Sequence, residues 1–444
     1  MKPKHTTSIS RFEALENRLA LAGDVNAFAI GTVLHIRGDS EDNGVAVHST
    51  SEGVIEVTGL VRDGLATTIN ESASQTFTKI KDIVITLNDG DDALVITKLP
   101  VSGSISVQLG EGNDVLALGE FDNSGDLVDD IVDDLVGALT VKTSLLIDTG
   151  DGDDVIVGRN VSARNFTLAT GIGNDSVTFD RNGEPNDNDF IPGVTTSAGL
   201  TINMGIGASD VTLDGITVQS LTLTLGDADD ELSFKNSTVA KGISIDGRNG
   251  ANELDIEEIT AKNLGISLGL GNDVVSLKSV TTTGKISVSD NFGDDTVTLE
   301  DVNAKSFSAS LGMGIDTVTM TDVTVANAIN INTGAGNDTV TLTAIAAKSL
   351  SVNLNDGDDT LTFNNVAITK GASNNAGTGN DILVFDGVGA QSLTVVLGDG
   401  DDQFSFEQTM IGKKSKIDGG KGTNDYNDTV NNSLGKLTKK NFPA

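Results

Sequence analysis

The sequence predicts an all-β fold, a parallel β-helix (β-solenoid) of ~21.5-residue coils with capping ends. A five-residue turn of the pattern Gly-x-Gly-(Asn/Asp)-Asp occurs fourteen times between Asn88 and Asp402. Its last residue, taken as position zero, is in order Asp92, Asp114, Asp154, Asp175, Ser209, Asp230, Asn252, Asp273, Asp295, Asp316, Asp338, Asp359, Asp381 and Asp402. From Ser209 onward the steps alternate between 21 and 22 residues, so every second copy lies 43 residues on. Within each period apolar residues recur at spacing two, which suits strands and not helices.

Residues 1–23, with Lys2, Lys4, Arg11 and Arg18, are basic ahead of an acidic chain. They lack the uninterrupted apolar stretch of an ordinary secretory signal, and are expected to be an export leader or disordered. Residues 24–81 hold irregular strands, such as 27–37 and 44–57, that fit an N-terminal β cap; solenoid ends need one. Coils follow over 82–412. Positions +2 and +4 after each turn are apolar, as in Leu94 and Ile96, Val297 and Leu299, or Phe404 and Phe406. A second pair falls at +7 and +9, as in Val323 with Val325, and a third strand precedes the next turn, as in Leu264, Ile266 and Leu268. Ala304-Lys305-Ser306-Phe307 in a short coil against Val325-Ala326-Asn327-Ala328-Ile329 in a long one puts the extra residue at the corner between second and third strands. Insertions near 119–137, acidic around Asp129, Asp130, Asp133 and Asp134, and near 180–196 are expected to be loops. Residues 413–444, rich in lysine, read as an aperiodic basic C-terminal cap or tail. Fourteen to sixteen coils stacked about 4.8 Å apart would form a single rod on the order of 70 Å.

Composition excludes several classes of function. There is no cysteine, so neither a disulfide nor a thiolate metal site can form. The three histidines, His5, His35 and His48, lie before the repeats, which leaves no imidazole chemistry there. No segment reaches the roughly 18 apolar residues of a membrane-spanning helix. A formal net charge of −35 argues against nucleic acid and anionic membranes as partners and favours cations.

Stacked turns would align the position-zero carboxylates about 4.8 Å apart, and each adjacent like pair would cost about 0.9 kcal/mol even in bulk water. Carboxylates with the carbonyls of a glycine-rich turn are ligands that Ca2+ prefers. The candidate metal ligands are therefore Asp92, Asp114, Asp154, Asp175, Asp230, Asp273, Asp295, Asp316, Asp338, Asp359, Asp381 and Asp402. Gly269-Leu270-Gly271-Asn272-Asp273-Val274-Val275 resembles part of the nonapeptide calcium-binding repeat of hemolysin-type (RTX) proteins. That family places a turn every nine residues on both edges of the coil, whereas here one acidic turn recurs per 21 to 22, so its two-edged calcium lattice does not carry over. The other reading is plain turn chemistry, with Asp capping the turn through a backbone amide.

Leu15-Glu16-Asn17-Arg18-Leu19-Ala20-Leu21 resembles the Leu-Glu-x-Arg-x-Leu-Leu leader of large extracellular planctomycete proteins. That resemblance implies export to the cell surface or medium. Two further surfaces enter as alternatives. Thr296 with Thr298, Thr317 with Thr319, Thr339 with Thr341 and Thr360 with Thr362 would stack into outward ladders of the kind ice- or mineral-binding β-helices present, although Thr also simply suits exposed strands. Polysaccharide-active enzymes use β-helices too, but here arginines near the insertions are few (Arg159, Arg164, Arg181), there is no Trp and Tyr426 is the one tyrosine. The sequence thus points to a non-catalytic, extracellular or cell-surface structural or adhesive solenoid, with divalent cations, cell-surface glycans or matrix proteins as partners.

Overall fold

The computed structural model describes residues 23–62, 65–120, 137–182, 191–428 and 431–442, and among them every regular element is a strand. The expected leader and the middles of both insertions fall outside the described residues. The chain forms two compact units, Met1–Gly226 and Asp227–Ala444, and each is a stack of parallel β-coils.

In the first unit the strands Gly44–Ser51, Ala93–Ile96, Val115–Gly119, Val155–Arg159, Ser176–Phe179 and Asp210–Asp214 pair in parallel. Their register aligns Val45, Leu94, Leu116, Ile156, Val177 and Val211, so neither insertion disturbs the winding. The second unit aligns Leu232, Leu254, Val275, Val297, Val318, Val340, Leu361, Leu383 and Phe404 in the same way. These columns are buried, as are their neighbours at +4. The strand Thr296–Glu300 shows the cause: its two apolar side chains enter the core and its threonines and glutamate face outward, as period two requires. Burial of each large apolar side chain contributes about 1.5–3 kcal/mol.

The alternation of coil length has the expected source. Val325 pairs with Ala347, 22 residues on, while Ala328 pairs with Ser349, 21 on, so the extra residue sits in the corner between them. Another corner had no sequence signature. At +6 the second unit places Asn236, Glu258, Ser279, Asp301, Asp322, Ala344, Asn365 and Gln408 in the left-handed region, with φ between 50° and 57°. Only some of these are residues that favour that conformation.

Both ends of the winding extend beyond the expected boundaries. Val33–Arg37 already pairs in parallel with Asp82–Thr86, and Gly44–Ser51 with Ala93–Ile96, so a coil begins inside residues 24–81 and carries His35 and His48. Most of the rest of that segment is antiparallel: Asp24–Ile30 lies on Val33–Arg37, and Val54–Gly59 lies between Gly44–Ser51 and Ser74–Thr78, while Asp24 and Val25 also pair in parallel with Thr68 and Ile69. At the other end the expected aperiodic tail keeps winding. Asp425–Asp428 and Lys436–Lys440 pair in register with Gln403–Glu407 and Met410–Asp418. Lysines on outward positions and Asn424 at position zero hid that period from the sequence.

One inward position breaks the apolar rule. Asn374 stands between Val352 and Val395 in the register, is 1% exposed, and neither of its amide atoms has a partner among the described residues. Ala372 and Ala376 flank it where adjacent coils carry leucines, while Phe363 stacks on Phe385 at 4.3 Å in the same coils. Asn374→Val is expected to stabilise the protein by about 1–3 kcal/mol, since it removes a buried amide without partners. A denaturant melt of the two proteins measures this, and a lower midpoint for the variant would contradict it.

Candidate functional site

The turn follows from counting its amides. Stacked parallel strands satisfy one another, but the chain leaves strand geometry at the turn and four successive N–H groups need acceptors. In the coil ending at Asp295, Gly293 N–H at −2 donates to the carbonyl of Met313 in the next coil. Thr296 N–H at +1 donates to the carbonyl of Asp273 in the preceding coil. The two between have no backbone acceptor. At −1, Asp294 N–H donates to Asn272 Oδ1 of the preceding coil, and at zero, Asp295 N–H donates to Asp316 Oδ1 of the next, both at 2.9 Å.

The two side-chain ladders run in opposite directions and recur along each unit. In the first, position-zero amides from Asn43 to Asp154 donate to Asp92, Asp114, Asp154 and Asp175. In the second, those from Asp230 to Asp402 donate to Asn252, Asp273, Asp295, Asp316, Asp338, Asp359, Asp381, Asp402 and Asn424. The −1 ladder uses Asp42, Asp91, Asn113, Asp153 and Asn174 in one unit, and in the other Asp229, Asn272, Asp294, Asn337, Asp358, Asn380 and Asp401. Glycine at −2 is required by contact as well as by conformation: Gly293 has φ of 148°, and a Cβ there would lie 1.6 Å from the carbonyl oxygen of Gly271.

All twelve sequence-predicted ligands thus lie in columns, but facing the interior and not on an outer edge. None is more than 3% exposed. Asp230 apart, each keeps Oδ1 for an amide, and its Oδ2 is buried with no hydrogen-bond donor assigned to it among the described residues. The exposed column is the −1 residue, which the sequence reading passed over. Burial drives the inward carboxyls far above the ordinary aspartate range: Asp175 and Asp381 to about 6, Asp154, Asp316 and Asp359 to about 7, Asp92 to about 8 and Asp114 to about 9. Asp273, Asp295, Asp338 and Asp402 are raised by burial as well. The side chains of Thr149, Thr170 and Thr333, at −5, pull Asp154, Asp175 and Asp338 the other way.

Position −5 separates two solutions to the same turn. Where position zero is Asn43, Asn252 or Asn424, position −5 is Gly38, Gly247 or Gly419. Asn252 Nδ2 donates to the carbonyls of Gly247 and Gly250 at 3.2 Å, and Asn424 Nδ2 to that of Gly419 at 2.6 Å. A Cβ on Gly419 would approach Asn424 Nδ2 to 2.9 Å. Where position zero is Asp, position −5 carries a side chain, most often leucine, as at Leu268, Leu311, Leu354 and Leu397. One coil departs from both. Asp290 occupies −5 beside Asp295 and is 7% exposed. One carboxylate oxygen from each of Asp273, Asp290 and Asp295 falls within 4.8 Å of the others. Burial, then the charges of Asp295 and Asp273, raise Asp290 to about 8.

Arg159 forms a bidentate pair with Asp180 at 2.8 and 3.0 Å, and Arg181 pairs with Asp214 at 3.3 Å, all in the first unit. The threonine columns stand in register from Thr296 through Thr317 and Thr339 to Thr360, and from Thr298 through Thr319 and Thr341 to Thr362. No protein-family model matches the chain, and comparison with curated proteins gives no match.

The folded ladder holds protons to higher pH than the unfolded chain, whose aspartates titrate near 3.9. Its contribution to stability is therefore complete below about pH 4 and is lost as pH rises through the folded values of about 6 to about 9. The melting temperature is expected to fall from pH 5 to pH 9. Asp381→Asn, beside the small Ala376, keeps an Oδ1 acceptor and cannot ionise, so the fall becomes shallower. Identical slopes for the two proteins would place the whole effect on the exposed carboxylates.

Proposed function

We propose that the protein is a non-catalytic structural or adhesive solenoid that works outside the cell or on its surface. The observation that carries this reading is repetition: one clamp of two turn side chains recurs coil after coil in both units, and its carboxyls serve the winding. Around the insertions, where a glycan-cleaving enzyme would gather cationic side chains, Arg159 and Arg181 are held in ion pairs on their own unit. The outward residues offer acidic and threonine surface, and in the second unit Leu270, Phe292 and Met313 expose apolar surface on consecutive coils. Such surface suits contact with glycans or matrix proteins, and the exposed −1 carboxylates suit divalent counter-ions.

Export tests the reading. In a planctomycete host the full chain is expected at the cell surface or in the medium, and a chain lacking residues 1–23 inside the cell. A full-length chain that remains in the cytosol overturns the extracellular role. The registered threonine columns favour one alternative, an ice- or mineral-binding face. That reading predicts thermal hysteresis which Thr319→Val abolishes; a wild-type protein without hysteresis removes ice from consideration.

A further inference from the structure

We propose that Asp273, Asp290 and Asp295 form a buried site for one hard divalent cation, with Ca2+ the best-fitting ion. The site goes beyond the scaffold reading above and stands independently of it. Its first support is the departure from the repeat. The −5 position faces the interior, and the coils before and after place Leu268 and Leu311 there, both buried. Replacing that leucine by aspartate sets a third carboxyl against two others, and an uncompensated buried charge costs several kcal/mol. A local sequence change so unfavourable calls for a compensating group.

The second support is unspent ligand capacity. Asp273, Asp290 and Asp295 are 1%, 7% and 2% exposed, and apart from one another's carboxyls the Oδ2 of each meets no partner among the described residues. Their Oδ1 atoms are already engaged: Asp273 accepts from Asn252 N–H at 2.7 Å, Asp290 from Asn291 N–H at 2.6 Å and Asp295 from Asp273 N–H at 2.9 Å. No lysine or arginine among the described residues forms an ion pair with any of the three. The remaining compensation is a bound cation or protons.

The cluster's geometry admits a cation, and the donor chemistry orders the candidates. One oxygen from each carboxyl lies within 4.8 Å of the other two, so a point between them is at most about 2.8 Å from each. Ca2+ takes carboxylate oxygens at about 2.3–2.6 Å with tolerant geometry, whereas Mg2+ requires about 2.0–2.1 Å and near-octahedral ligation. The tolerant geometry of Ca2+ suits three carboxyls fixed by the backbone better than the strict demands of Mg2+. The all-oxygen donor set also excludes a preference for softer metals.

The experiment uses the full chain after chelator treatment, with metal content measured after equilibrium dialysis against Ca2+ and melting temperature followed at constant ionic strength. The wild type is expected to hold one more Ca2+ per chain than Asp290→Leu, which installs the residue of the flanking coils. Ca2+ at a hundredfold excess over Kd should raise the wild-type melting temperature by roughly 5 °C and leave that of Asp290→Leu unchanged. The order of stability should also invert, with Asp290→Leu melting above the wild type in chelator and below it in Ca2+. Equal Ca2+ content and equal shifts in the two proteins overturn the site, as does a wild-type response that sodium chloride reproduces. Asp290→Asn preserves size and the bond to Asn291 N–H; should the leucine variant fail to fold, retention of the extra ion by Asp290→Asn is the overturning result.

Discussion

Two backbone amides per coil set the terms for everything else in this protein. A parallel coil must turn at each corner, and at the acidic corner the N–H groups of positions −1 and zero point where no carbonyl of a neighbouring coil can reach them. Leaving a buried amide without a partner costs about 1–3 kcal/mol, and the cost would recur with every coil. Short side chains ending in an acceptor solve it in both directions at once, the −1 residue serving the following coil and the zero residue the preceding one. The sequence (Asn/Asp)-Asp is the chemical statement of that requirement. Glycine at −2 is its steric corollary, because the turns must approach closely for the side chains to span them.

How much of this was legible depends on whether period alone carries the information. The coils, their three strands and the inward residues such as Val323, Val325, Leu393 and Val395 could be read because apolar side chains recur at fixed offsets. The inward orientation of the position-zero carboxyl is not announced by residue type, because Asp is ordinarily an exposed turn residue. Parity held the signal: zero, +2 and +4 share one face of an extended chain, and +2 and +4 were already assigned to the core. The strand before the turn has its own alternation, with −9, −7 and −5 inward as at Ile286, Val288 and Asp290, which identifies Asp290 as an inward aspartate. The left-handed corner at +6 remained hidden because residues as different as Glu258, Ala344 and Gln408 fill it, so packing of the coil and not residue preference imposes φ.

The inward columns also change the meaning of the formal charge. Ionised aspartates at every coil would repel along the stack, and the exposed −1 column would add to them. Burial opposes this by favouring the neutral acid, whose proton would stand where the asparagine variants put an amide hydrogen. Asn252 shows what that place requires, with carbonyls of Gly247 and Gly250 in reach of Nδ2. A protonated aspartate supplies an acceptor at Oδ1 and a donor at Oδ2, as asparagine does, while leaving room for a leucine at −5. The effective charge near neutral pH is accordingly smaller in magnitude than the −35 obtained by counting residues.

Asn with Gly, and Asp with a side chain at −5, are therefore two answers to one geometric demand. The first sends its hydrogen to a carbonyl and excludes a side chain at −5; the second buries a carboxylic acid beneath one. Asp295 with Asp290 belongs to neither, because the side chain at −5 is itself an acid and Asp273 from the preceding coil faces the same corner. Two protons shared among the three carboxyls would leave a single charge, with Asp290 hydrogen-bonded to Asp273 and Asp295. The divalent ion proposed above would likewise reduce three charges to one, and it would in addition occupy the three inward oxygens together, a need that arises only in the coil that breaks the repeat.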